Sequence, residues 1–109
     1  MKLVFDTNVF IEGLRLQSRA KTLIASFEHT DHTLYAPSIV GFELFSGVSS
    51  KKPEQRKRIE LFLRYFEVVD LDWKIAQRAG EIFRSGIRDL ETPDYIIAAT
   101  ALEIGAEVV

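Results

Sequence analysis

Apolar positions recur along this chain with the period of a helix in three segments: Ala20, Leu23, Ile24 and Phe27; Ile59, Phe62, Leu63 and Phe66; and Ile75, Ala79, Ile82 and Phe83. A spacing of three or four residues collects them on one face, so each segment predicts an amphipathic helix. Between and around these lie shorter runs suited to buried strands: Leu3 to Asp6, Thr33 to Ala36, Glu67 to Leu71 and Ala106 to Val109. Strand and helix alternate. That order predicts an α/β fold with a central, mostly parallel sheet flanked by helices and joined by right-handed crossovers.

The three prolines mark helix starts, because a helix's first turn has no use for the N–H that proline lacks. Pro37 opens a segment running to Val48, and Pro53 opens the segment that carries Ile59. Thr92 and Pro93 read as N-cap and first helical residue, which puts Asp94 in the first turn of a helix continuing through Leu102. That last helix is apolar nearly all round and is expected at the centre of the fold. The stretch from Gly47 to Pro53 reads as a loop. No repeat or long linker interrupts the pattern, and the 109 residues are expected to form one domain, 1–109.

Composition narrows the chemistry. With 47% hydrophobic and 28% charged residues the chain has the make-up of a folded globular protein. The absence of cysteine excludes a disulfide framework, a thiolate nucleophile and a thiolate zinc site. Only three apolar residues follow Lys2 before Asp6, too few for a signal-peptide core, and the uncharged stretches, Tyr95 to Leu102 among them, are all shorter than a bilayer span. A cytoplasmic protein with no membrane association is expected. A formal charge of -2 gives no general attraction to polyanions, so any nucleic-acid binding must rest on a local basic patch or on metal ions.

Three acids stand in segments otherwise built for burial. Asp6 ends an apolar strand and would sit at the sheet's carboxyl edge, where open α/β sheets bind ligands. Glu43 lies among Ile39, Val40, Phe42 and Leu44, where an unpartnered carboxylate would cost several kcal/mol. Asp94 begins the central helix. Each has a plainer reading: Asp6 or Asn8 capping the helix that follows, Glu43 reaching an Arg on a neighbouring helix, Asp94 stabilised by the helix dipole. Together they suggest carboxylates converging on a cation. His29 and His32 are far from them in sequence and are expected to be solvated.

The segments that carry these acids are Leu3 to Ile11, Pro37 to Val48 and Pro93 to Ala101, and in this order and separation the chain resembles the PIN-domain ribonucleases, among them the VapC-type toxins of toxin–antitoxin pairs. The resemblance spans the whole chain. It implies a PIN-like three-layer fold in which Asp6, Glu43 and Asp94 are the catalytic acids holding Mg2+ or Mn2+, with Thr7 and Asn8 supporting Asp6. Such a metal set agrees with the oxygen-only donors available. It further implies hydrolysis of RNA phosphodiester bonds, an antitoxin protein that blocks the site, and a homodimer. Family members continue past the strand at Ala106 to Val109 into a loop with a fourth acid or Asn, so the C-terminal part of the fold is expected to be missing.

Five cations, Lys51, Lys52, Arg56, Lys57 and Arg58, fall within eight residues and are candidates for RNA binding, against the plainer reading of a solvated helix start. Phe10, Ile11, Leu14 and Leu16 give the first helix more apolar surface than one sheet face would cover; core burial is the default reading of each, with a partner-facing patch as the alternative. Alternatives to a toxin are a PIN-type RNA-processing nuclease, a receiver-like or phosphatase-like phosphotransfer domain, and a non-catalytic partner-binding module. The phosphatase pattern wants an acid where Asn8 stands, and Asp70 and Asp72 are poor phosphate acceptors.

Overall fold

Leu3 and Val4 are both buried although consecutive strand residues point to opposite faces, which requires cover on both sides of β1 (Lys2–Val4). The computed structural model describes residues 1–15, 31–47, 51–87 and 89–109. After β1 come α1 (Thr7–Arg15), β2 (Thr33–Pro37), α2 (Ser38–Ser46), α3 (Pro53–Leu63), β3 (Glu67–Val69), α4 (Trp73–Arg84), α5 (Thr92–Ile104) and β4 (Glu107–Val108). The described strands form one sheet in the order β3-β2-β1-β4. Every pairing is parallel, with Leu3 beside Leu34 and Glu107, and Tyr35 beside Glu67.

The expected alternation and the helix-flanked parallel sheet are therefore present, with shorter strands. β1 stops at Val4 rather than Asp6, because Phe5 and Asp6 turn the chain into α1. β3 stops at Val69, since the next acidic residues are needed at a helix start: Asp72 Oδ1 accepts the Ile75 N–H at 2.8 Å and caps α4. Phe66 lies beyond α3, which ends at Leu63, and its N–H closes a turn on the Leu63 carbonyl at 3.0 Å. The helical pattern from Ala20 to Phe27, Leu16 and His29 lie outside the described residues.

Four phenylalanines from distant segments lock the carboxyl end of β1 to its neighbours. Phe5 packs edge-on to Phe66 with centroids 5.2 Å apart, and Phe10 of α1 meets Phe66 at 4.6 Å and Phe62 of α3 at 5.7 Å. Such pairs contribute about 0.5–1.5 kcal/mol each beyond the burial of their area. Val40, Leu44, Ile59, Ile97 and Ala101 complete this core. A second cluster, Ile75, Ala79, Tyr95 and Ala99, joins α4 to α5.

The central position expected for the last helix holds: α5 packs on β1, β2, β4, α2 and α4. It ends at Gly105, whose φ of 69° is left-handed, and Ala106 N–H returns to the Ala101 carbonyl at 2.8 Å. Its N-cap is Glu91 and not Thr92. The Glu91 carboxylate accepts the Asp94 N–H while Asp94 Oδ2 accepts the Glu91 N–H at 3.0 Å, a reciprocal pair that a threonine one residue later could not make. Among the described residues no helix is long and apolar enough to cross a membrane.

Candidate active site

Parallel strands all point their carboxyl ends to one edge, and the chain leaves β1 and β2 there directly into helices. Asp6 lies in the turn after β1, half-buried, with Oδ1 accepting the Val9 N–H at 3.1 Å. The next residue, Thr7, is buried, and its hydroxyl donates to Glu43 Oε1 at 2.5 Å. That length is at the short end for a hydroxyl on an ionised carboxylate. β2 passes through Pro37 into α2 without a loop, so Glu43, in the second turn of α2, is carried to the same region. Glu43 is half-buried; Leu44 beside it is buried, but Phe42 is 69% exposed, so α2 presents more apolar surface to solvent than its sequence pattern predicts.

Asp94 reaches this edge by topology. β4 runs parallel to β1, so the helix before it must run back against the strands. Lys2 Nζ donates to the Ile104 carbonyl at 3.1 Å, which fixes the C-terminus of α5 at the start of β1 and leaves its N-terminus, with Asp94, toward the other end. The carboxylate itself is exposed and engaged with Glu91.

Among the described residues no three Asp, Glu or His side chains gather closely enough to hold one metal ion. Each of the three acids instead has a neutral donor of its own: Val9 N–H, Thr7 Oγ1 and Glu91 N–H. These include the helix-capping roles named above for Asp6 and, in a different form, for Asp94. None of the three is paired with Lys or Arg among the described residues. Glu43 in particular reaches a threonine rather than an arginine. Glu91 went unnoticed in the sequence; its signal was the three-residue spacing to Asp94, a capping box with acids at both ends.

The basic stretch divides. Lys51, Lys52 and Lys57 are exposed. Arg56 pairs with Glu60 at 3.3 Å and lies 5.7 Å from the centre of the Phe45 ring. Arg58 turns inward, donating to the Leu14 carbonyl at 2.6 Å and to Gln55 Oε1 at 3.4 Å. It lines, with Glu43, a cavity of about 510 Å³ walled by Ile11, Leu14, Leu44 and Ile59. Of the apolar residues of α1, Phe10 is wholly buried and Ile11 is exposed at this cavity. His32 is half-buried rather than solvated, with Nδ1 shut away from solvent.

The PIN domain family profile matches residues 3–109. The chain belongs to the PIN domain family. This PIN domain is 29% identical over 108 residues to Ribonuclease VapC19 of Mycobacterium tuberculosis, an alignment that covers 99% of this chain and 86% of that protein. A toxin–antitoxin complex from Klebsiella pneumoniae contains a chain 27% identical, with a TM-score of 0.75 over 97% of this PIN domain and 82% of that chain. VapBC-1 from nontypeable Haemophilus influenzae, at 21% identity, shares the fold with a TM-score of 0.77 over 99% of this chain and 84% of that one. The family expected from the segments around Asp6, Glu43 and Asp94, and its VapC-type character, are borne out.

Proposed function

We propose that this PIN domain is a divalent-metal-dependent endoribonuclease and the toxin of a toxin–antitoxin pair, hydrolysing RNA phosphodiester bonds. The observation that carries the reading is the Thr7–Glu43 hydrogen bond, which ties the residue after Asp6 to a half-buried acid that has no basic partner among the described residues. Asp6, Glu43 and Asp94 would hold Mg2+ or Mn2+; all three offer oxygen, the ligand these ions prefer. When bound, the ion supplies a more acidic water and neutralises charge developing on the phosphate.

The chain's own residues do the rest. Thr7 fixes the direction of Glu43, and Asn8 lies at the start of α1 beside Asp6. Asp94 would join them from the first turn of α5, where Oδ2 accepts the Glu91 N–H. Lys51, Lys52 and Lys57 supply exposed positive charge for RNA. By likeness to the VapC relatives, the partners are RNA, a cognate antitoxin and a second copy of the chain, in the cytoplasm.

A second reading, a non-catalytic module that binds a partner, is favoured by one observation: the three acids already have structural roles as caps or hydrogen-bond acceptors. The two separate on Asp6→Ala, Glu43→Gln and Asp94→Asn. For a nuclease, each abolishes Mg2+-stimulated RNA cleavage and relieves growth arrest while the circular dichroism spectrum is retained. Cleavage that persists in the triple variant ends the proposal.

A further inference from the structure

Arg58 differs from the other four cations of its stretch, because its half-buried guanidinium is aimed into the cavity that also holds Glu43. Two hydrogen bonds orient it, to the Leu14 carbonyl and to Gln55 Oε1, and both acceptors are neutral. Among the described residues no carboxylate pairs with it. A guanidinium drawn out of water calls for an anion, since neutral acceptors satisfy its N–H groups without compensating its charge. Of its five N–H donors the two bonds use two, leaving others to present a fork of the kind that grips phosphate oxygens in pairs.

We infer that Arg58 is a positioning residue that receives a backbone phosphate of the strand being cut, within the cavity it lines together with Glu43. This rests on the nuclease reading and adds to it a fixed phosphate contact. The cavity's size lies within the roughly 300–1,000 Å³ typical of ligand sites. Its apolar residues Ile11, Leu44 and Ile59 suit a ribose or base face. A peptide carboxylate could use the same fork, but it would bring no ribose or base to the apolar wall.

The test is fluorescence anisotropy of the full chain with a labelled single-stranded RNA in EDTA, over a salt series, for the wild type, Arg58→Gln and Arg58→Lys. Arg58→Gln is expected to weaken binding about tenfold, the scale of a hydrogen-bonded charge. It should also lower the log–log salt slope by roughly 0.7, the signature of one lost phosphate contact on a single strand. Arg58→Lys should keep the slope and raise KM with kcat little changed. A merely structural role would alter thermal stability and leave the slope alone. A wild type that cleaves RNA with Mg2+, while Arg58→Gln keeps the wild-type slope, overturns this inference alone. A wild type that neither cleaves nor binds RNA overturns the nuclease reading. Retention by the wild type of a polyglutamate peptide in place of RNA, lost in Arg58→Gln, would also overturn the phosphate assignment.

Discussion

Thr7 Oγ1 donates to Glu43 Oε1 across 2.5 Å, a side-chain bond between residues 36 positions apart that joins the first turn of α1 to the middle of α2. A hydrogen bond to a charged group contributes about 1.5–3 kcal/mol. Thr7→Val keeps the shape and removes the donor, so the unfolding free energy should fall by an amount in that range and the urea midpoint with it, and Mg2+ should bind more weakly. Titration calorimetry and denaturation check the two effects. An unchanged midpoint would mean that Glu43 is as well served by water.

Asp6 carries two jobs that substitution can part. Asn at an N-cap serves about as well as Asp, whereas Ala costs about 1 kcal/mol. Asp6→Asn should therefore keep the Val9 N–H contact and near-native stability yet lose RNA cleavage, while Asp6→Ala loses both. Equal cleavage by Asp6→Asn and the wild type would leave Asp6 as a cap only.

Phe10 is wholly buried against Phe62 and Phe66. Phe10→Ala should cost about 3–5 kcal/mol, a large share of the stability of any small domain. Phe10→Leu should cost much less. Thermal unfolding followed by circular dichroism compares them.

Gly105 ends α5 at φ 69°, and a methyl group there would meet no atom within 4 Å. Any loss in Gly105→Ala is then backbone strain alone, roughly 1–2 kcal/mol. Because Ala106 bonds back to Ala101 through this turn, amide exchange of Ala106 should quicken as well.

Much of the fold was legible because burial leaves a periodic mark. Leu3 and Val4, or Ile75 and Ala79, show their faces in spacing alone, and Pro53 announces α3 by its missing N–H. The ends of elements were less legible, since they are decided by single hydrogen bonds. Glu91 displaces Thr92 as the cap of α5 because an acid can close a reciprocal pair with Asp94. The three acids could be picked out as residues without an obvious place. Their contacts could not, because which donor a carboxylate takes depends on geometry within one turn of helix. The inward turn of Arg58 had no sequence signature either, for it is set by where the Leu14 carbonyl happens to fall.

The aromatic cluster has a genetic consequence. Phe5 directly precedes Asp6, and Phe10 lies one turn beyond Thr7, so the same rings that anchor the interior also hold the loop bearing the acid. A selection for harmless variants will return lesions at these phenylalanines mixed with lesions at the carboxylates. Protein abundance in the surviving colonies will sort them: the first class vanishes from the lysate, and the second accumulates.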